Sequence, residues 1–271
     1  MDKNILNKTE YISENSLAKN LDTAFMGSNL IVLDSTDSTN NYLKNIARNG
    51  AKNGTVVIAR EQTSGKGRLG RVWSSEKDKN LTFSILLRPD IKPDEVQAIT
   101  PVAGLALCKA IREFFNLDCK IKWPNDIIIG KKKLSGILTE MSANATGVDF
   151  IVIGIGINLD QENFDDEIKH KATSIYLETN EKTNKNAFLA SILKHIEDEF
   201  VKCNYHFTIK NIAEYKSLCA TIGRQVSFLS NNKTLTGTAV DINPNGELVV
   251  QLPDKNIYTI NSGEVTIQGI Y

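Results

Sequence analysis

The sequence predicts an α+β domain followed by a small β-barrel. Three observations carry this. Strand-like and helix-like segments intermix as far as residue 222. After Gly223 the texture changes to short strands separated by turns. With 271 residues, 41% hydrophobic and 24% charged, the chain has the composition of an ordinary soluble protein and the length for one large domain and one small one.

Residues 1–28 are polar and weakly patterned, and are expected to form a short extension or one helix; the fragment 12–18 is the helical candidate. Residues 30–33 read as a strand. Asp37, Ser38 and Thr39 offer N-cap chemistry for a helix through Tyr42, Ile46 and Ala47. Residues 55–61 are a strand, and 62–75 a loop rich in Gly, Arg and Ser. Residues 81–87 alternate in the manner of a strand and end at Arg88-Pro89. A long amphipathic helix should start near Pro93 and run to about Phe115. Four strands follow, at 120–123, 127–129, 134–141 and 150–157. The spacing of Phe188, Ile192, Leu193, Ile196 and Phe200 predicts a helix over 185–207, with a second over 209–219. The late strands are 226–229, 235–242, 247–252, 257–260 and 264–267. Turn signals at Asn231-Asn232, Asn245-Gly246 and Ser262-Gly263 separate them. The expected divisions are therefore 1–28, 29–222 and 223–271.

Lys+Arg and Asp+Glu both number 32, so the formal charge is zero. This excludes a disordered polyelectrolyte and a globally basic nucleic-acid binder. A local basic pocket remains possible. Cys108, Cys119, Cys203 and Cys219 form no CxxC pair and no Cys/His cluster, so neither a metal site nor a disulfide framework is expected. Free thiols fit a reducing cytoplasm. The N-terminus has no apolar signal region, and no stretch approaches the roughly 20 apolar residues of a membrane span.

The most informative stretch runs from Gln62 to Trp73. Gly65, Gly67 and Gly70 satisfy G-x-G-x-x-G, but no helix opens after them, so a dinucleotide fold is not supported. The Gly-Lys-Ser/Thr of a phosphate-binding P-loop is absent. Lys66, Arg68 and Arg71 alternate with the glycines. Glycine admits close backbone approach, and arginine offers a planar fork for phosphate or carboxylate. The stretch is an anion clamp. Trp73 either stacks on a flat ring or anchors the loop.

A second constellation is Lys122-Trp123-Pro124-Asn125-Asp126, where proline ends a strand and exposes a polar pair. Of the run Lys131-Lys132-Lys133, Lys133 stands at the mouth of a strand containing Gly136 and can project into a site. Gly154, Gly156 and Asn158 end another apolar strand and leave room beside the sheet. His170, His195 and His206 lie away from these motifs, and no nucleophilic triad or paired acids are suggested. What remains suits phosphoryl or nucleotidyl transfer, where positioning and charge stabilisation dominate.

Ser38-Thr39-Asn40, the loop 62–73, the segment 122–126, the segment 133–138 and the segment 154–158 occur in order. Together they resemble the bacterial biotin protein ligases, the biotin–[acetyl-CoA-carboxylase] ligases. The resemblance covers residues 30–270 and includes Gly237, Asp241, Gly246 and Ser262-Gly263-Glu264. It implies a class II aminoacyl-tRNA-synthetase-type mixed sheet with helices and an SH3-like barrel. It also implies ATP-dependent formation of biotinyl-5′-AMP, with Mg²⁺ accompanying ATP. Biotin would then pass to a lysine of a biotin carboxyl carrier protein domain. The implied biotin-binding set is Ser38, Thr39, Asn40, Gln62, Gly65, Lys66, Gly67, Arg68, Lys133, Gly136, Gly154 and Gly156. The implied ATP-binding set is Arg68, Arg71, Trp73, Lys122, Asn125, Asp126, Lys133 and Asn158, with Arg68 and Lys133 catalytic. Lys66 departs from the family, which usually has arginine there; lysine keeps the charge but loses the fork. Many relatives carry a winged helix-turn-helix ahead of the ligase domain, which residues 1–28 are too few to form, so DNA is not an expected partner. Monomer and homodimer both remain open, and a lipoate ligase and a non-catalytic biotin sensor are the competing readings.

Overall fold

The structure, a computed structural model, describes residues 11–144, 147–230, 233–261 and 265–271. A seven-stranded sheet forms from β1 (Asn29–Leu33), β2 (Thr55–Ala59), β3 (Asn80–Leu87), β4 (Cys119–Lys122), β5 (Asp126–Ile129), β6 (Lys132–Asn144) and β7 (Gly147–Asn158). Their order is β1-β2-β3-β7-β6-β5-β4. Only β1 and β2 pair in parallel, and α2 (Thr39–Arg48) lies in the connection between them. The alternation expected for β3 is not reflected in its burial, because all eight of its residues are buried. Leu81, Phe83, Ile85 and Leu87 face the main core, which includes the large helices. Leu86 faces a smaller cluster with Leu43 and Ala47 of α2. A central strand covered on both faces buries its polar residues, Asn80, Thr82 and Ser84, along with its apolar ones.

The expected long helix divides into a 3-10 turn at Pro93–Ala98 and α3 (Ile99–Phe115). Helices α5 (Lys185–Cys203) and α6 (Ile209–Leu218) pack against α3. A short helix, α4 (Ile175–Thr179), was not expected from the sequence. Helices α3, α4 and α5 each end on an asparagine in the left-handed region, Asn116, Asn180 and Asn204. Asparagine tolerates that conformation better than any other residue with a Cβ, which explains why α5 stops at Cys203 rather than near 207.

The segment ahead of β1 packs onto the domain rather than trailing from it. Helix α1 (Glu14–Asn20) is capped by Ser13, and Leu17 and Met26 are fully buried. The Glu197 carboxylate on α5 accepts three backbone N–H groups, from Ala24 at 2.6 Å, Phe25 at 2.8 Å and Met26 at 2.8 Å. Removing a buried acceptor strands its donors. Glu197→Ala is therefore expected to destabilise the fold by about 3 kcal/mol, read by urea unfolding, with ligand binding retained by the folded fraction. Unchanged stability would show that these contacts do not hold the segment.

The second sheet comprises β8 (Gln225–Ser230), β9 (Lys233–Ile242), β10 (Leu248–Gln251), β11 (Ile257–Ile260) and β12 (Val265–Ile267). It is antiparallel throughout, in the order β11-β10-β9-β8-β12. Trp123 Nε1 donates to the Gly246 carbonyl at 2.9 Å, and Ala220 N donates to the Ile121 carbonyl at 2.8 Å. The first bond holds the β9–β10 turn against the residue that follows β4, and the second ties the segment before β8 to β4 itself. Residues 1–10, the Asn231-Asn232 turn and Ser262-Gly263-Glu264 lie outside the described residues. All four cysteines are buried free thiols.

Candidate active site

The floor of the site is a patch of sheet carrying three glycines and Leu138. Register places Gly136 of β6 opposite Gly156 of β7, and Gly154 opposite Leu138. A Cβ on Gly154 would stand 2.2 Å from Asn40 Oδ1, and one on Gly156 would stand 2.4 Å from the Trp73 ring. Glycine at these two positions lets the start of α2 and the Trp73 indole lie directly on the sheet.

The start of α2 forms one wall. Ser38 occupies the N-cap position but makes no capping bond with its side chain. Gln62 supplies the acceptor instead: its Oε1 accepts from Thr39 N at 2.8 Å and from Thr39 Oγ1 at 3.1 Å. Cap chemistry was thus legible, but the capping group comes from the next strand connection. Ser84 of β3 supports the same wall. Its Oγ lies 2.7 Å from Thr39 Oγ1 and 2.6 Å from Asn40 Oδ1, and its single O–H serves one at a time. Asn40 Nδ2 donates to Glu140 Oε2 at 2.8 Å, and Lys44 Nζ to Glu140 Oε1 at 2.5 Å. Burial pushes the Glu140 carboxyl up, but the hydrogen bonds from Lys44 and Asn40 outweigh it and hold the group below its usual range.

The glycine–arginine stretch closes on itself as a small hairpin. Trp73 N donates to the Gly65 carbonyl at 2.9 Å, and Gly67 N to the Arg71 carbonyl at 2.7 Å. Arg68–Gly70 form a 3-10 turn at the tip, with Leu69 at φ 56°. Lys66 Nζ donates to Asn41 Oδ1 at 2.9 Å. Arg68 turns inward, and its Nη1 donates to Asn125 Oδ1 at 3.1 Å. Burial lowers the Arg68 pKa, opposed by nearby Asp126.

The β4–β5 turn and the start of β6 bring Lys122, Asn125, Asp126 and Lys133 together. Lys133 Nζ is 2.7 Å from Asp126 Oδ1, yet Oδ1 makes no properly directed hydrogen bond. The contact is ionic, and the ammonium retains N–H groups for a ligand. Burial lowers Lys122 to about 8, with Asp126 opposing the shift and Lys133 and Arg71 adding to it. Asn158 Nδ2 donates to the Thr173 carbonyl at 2.9 Å.

Two adjoining cavities result. One of about 50 Å³ is lined by Ser38, Gln62 and the three glycines of the floor, among others. The other, about 420 Å³, is lined by Arg71, Lys122, Asp126 and Asn158 among others. Trp73 and Lys133 line both, so they stand at the junction. Trp73 Nε1 is buried without a hydrogen-bond partner among the described residues. A buried N–H of this kind is a donor that a bound ligand can satisfy.

The structure therefore brings together the residues expected at the site. Gly65 adjoins it rather than lining either cavity, because its role is to let the hairpin close. Lys131 and Lys132 line neither cavity. His195 bonds to the Ser191 carbonyl and Glu113, and His206 approaches Glu95, all away from the site. Sequence reasoning missed Ser84, Glu140 and Tyr271. The first two lie among other polar residues of β3 and β6, so nothing local singled them out.

Comparisons with known proteins agree with this geometry. Residues 32–158 match the Biotin/lipoate A/B protein ligase family, and residues 221–267 match the Biotin protein ligase C terminal domain. The chain is 35% identical over 259 residues to the bifunctional ligase/repressor BirA of Bacillus subtilis, covering 94% of this chain and 80% of the relative. It is 29% identical over 244 residues to the biotin–[acetyl-CoA-carboxylase] ligase of Mycobacterium tuberculosis, covering 87% and 88%. Among solved structures, a biotin protein ligase from Aquifex aeolicus in complex with biotin and ATP superposes with a TM-score of 0.75. It is 31% identical, covering 89% of this chain and 99% of that one. The α+β sheet and the antiparallel C-terminal sheet are the mixed sheet and SH3-like domain expected of that fold. With both domains matched in order and one relative at 35% identity over most of its length, the chain belongs to the biotin protein ligase family.

Proposed function

We propose that this chain is an ATP-dependent biotin protein ligase, and that its two cavities hold the two substrates of the first step. The single observation that carries the assignment of roles is the junction at Lys133 and Trp73 between a small cavity over the three glycines, which Lys66 and Arg68 also line, and a larger one lined by Arg71 and Lys122. Biotin occupies the first, its ureido ring facing Ser38, Thr39, Asn40 and Gln62, with Gly136, Gly154 and Gly156 beneath it. ATP occupies the second, its phosphates facing Arg71, Lys122 and Lys133. Asn125 and Asp126 position the cations, Asn158 borders the nucleotide, and Trp73 covers the boundary.

In the first step an oxygen of the biotin carboxylate attacks the α-phosphorus of ATP, and pyrophosphate leaves with the bonding pair. Two anions must meet, and their repulsion is large unless cations stand between them. Lys133 and Arg68 face that meeting point and stabilise the charge on the transferring phosphoryl group. In the second step the neutral amine of an acceptor lysine on a biotin carboxyl carrier domain attacks the acyl carbon. An amide forms, the amine loses a proton, and AMP leaves. Magnesium would enter with ATP and offset the phosphate charge, with Asp126 and Asn158 among the oxygen-bearing side chains beside it. Among the described residues no group of three His, Cys, Asp or Glu side chains could hold a metal on its own.

No described helix is long and apolar enough to cross a membrane. A cytoplasmic location suits the reaction and the free thiols. Residues 12–26 are committed to packing against the ligase domain, which supports a ligase without DNA-reading function in these residues. A mobility shift with duplex DNA at physiological salt should be negative.

The test of function is transfer of radiolabelled biotin to a carrier domain, dependent on ATP and accompanied by pyrophosphate release. Lipoate transfer without biotin transfer would overturn it. Ligand binding without turnover would instead indicate a sensor. Lys122 adds a pH signature. Its ammonium is the form that attracts phosphate, and its pKa lies at about 8. ATP affinity should be constant below that point and fall as pH rises through it, by up to about tenfold per unit for one proton. Lys122→Arg should remove the break, since arginine keeps its charge. A break that persists in the variant would assign it to another group.

A further inference from the structure

Tyr271 belongs to neither set of residues expected at the site, yet it lines the larger cavity beside Lys122 and Asp126. The chain leads it there by a short turn after β12. Gln268 N donates to the Gln225 carbonyl at 3.0 Å, Gly269 takes φ 78°, and Ile270 N donates to the Ile267 carbonyl at 3.2 Å. Ile267 and Ile270 are both 2% exposed and anchor the turn. Beyond them the Tyr271 ring lies under Lys122, whose Nζ sits 3.5 Å from the ring centroid. The Tyr271 hydroxyl donates to Asp126 Oδ2 at 2.5 Å. The other carboxylate oxygen, Oδ1, faces Lys133 at 2.7 Å.

These contacts divide the Asp126 carboxylate between two partners. With Oδ2 held by the hydroxyl, the plane of the carboxylate is fixed and Oδ1 is presented to Lys133. A carboxylate without that bond can rotate and draw the ammonium into a better-directed bond with itself. Meanwhile the ring face attracts the Lys122 ammonium and shields one side of it from water. One side chain from the C-terminal domain thus touches Lys122 directly and reaches Lys133 through Asp126. We infer that Tyr271 is a positioning residue for the adenylation step: its hydroxyl sets Asp126 so that Lys133 faces the α-phosphate, and its ring sets Lys122 against the remaining phosphates. The inference rests on the nucleotide reading of the larger cavity.

The groups facing Lys122 are Asp126 from β5, Lys133 from β6, Arg71 from the hairpin and Tyr271 itself. Burial is the largest cause of the low Lys122 value. Taking the ring away admits water and moves that value towards the ordinary lysine range. Taking away only the hydroxyl leaves the ring cover in place. The two variants therefore separate the two roles.

The experiment compares Tyr271→Phe and Tyr271→Ala with the natural chain by biotin-dependent exchange of pyrophosphate into ATP, across pH 6–10. Biotin binding is read in parallel by calorimetry. Tyr271→Phe should lower kcat by about tenfold, the effect of one lost hydrogen bond to a charged group, with KM for ATP nearly constant. Tyr271→Ala should also raise KM for ATP severalfold and shift its break upward from about 8. Biotin affinity should hold in both. Wild-type kcat, KM and pH profile in Tyr271→Phe and in any folded Tyr271→Ala would overturn the inference. So would equal losses in biotin and ATP affinity, which mark a packing role. If the natural chain shows no exchange, the ligase reading fails separately. Direct ATP binding by calorimetry then decides the matter: a pH break that is the same with and without the ring overturns the role of Tyr271.

Discussion

Lys133→Ala is expected to lower the rate of biotin adenylation by about 10²–10³-fold, the scale of losing one preorganised charge stabiliser. The reason is position. Lys133 lines both cavities, so its ammonium is placed to contact the attacking carboxylate and the α-phosphoryl group together. Its contact with Asp126 is ionic, so ammonium hydrogens not aimed at Oδ1 remain for substrate. The backbone of residue 133 should survive the change, because Lys133 N donates to the Lys171 carbonyl and its own carbonyl accepts from Thr173 N. The fold is therefore expected to persist. Lys133→Arg should recover part of the rate, since it keeps the charge but not the compact ammonium. Single-turnover pyrophosphate release measures the first step. Supplying preformed biotinyl-5′-AMP bypasses that step, and transfer from it should fall by less than about tenfold, because the repulsion between two anions has already been overcome. Near-normal pyrophosphate release in Lys133→Ala would remove the residue from the chemistry.

The fold class and the segments lining the cavities were legible in the sequence, whereas contacts between distant elements were not, and the difference is physical. Glycines alternating with Arg68 and Arg71, or spaced two apart at Gly154 and Gly156, mark places where side chains were excluded and charge was concentrated. Those constraints are local, so they can be read locally. The roles of Ser84 and Glu140 depend on strand register: Ser84 meets α2 only because β3 pairs with β7 opposite Gly154. The Gln62 cap on α2 likewise joins groups on different elements. Tyr271 had no signal at all, since its partners Lys122 and Asp126 are more than a hundred positions away. Among the elements, α4 escaped because it is only five residues long. The polar residues before β1 looked like an extension because their anchor, Glu197, lies on a helix far along the chain.

Gly65→Ala is expected to lower the adenylation rate by about 10²-fold, the effect of displacing a catalytic group by roughly 1 Å, with little change in thermal midpoint. A Cβ at this position would stand 2.4 Å from the Trp73 carbonyl oxygen and 2.9 Å from Gln62 Nε2. The first of these is backbone, so no rotamer change relieves it. The hairpin closed by the Trp73 N–H on the Gly65 carbonyl must open, carrying Arg68, Arg71 and Trp73 away from both cavities. The second contact pushes Gln62 off the Thr39 amide, which loosens the wall against biotin. Stability should hardly register the change, because the hairpin tip is largely exposed and its residues lie outside the main core. Gly136→Ala provides the contrast. There the nearest atom is Lys133 Nζ at 3.1 Å, the free end of a flexible side chain. That variant should show a smaller loss, confined to the groups at the junction. Calorimetry for biotin and ATP, with kcat for adenylation, separates the two: Gly65→Ala should weaken both ligands as well as the rate. Wild-type affinity and rate in Gly65→Ala would show that closure of the hairpin is not required for chemistry, and that Arg68 and Arg71 act from an open loop.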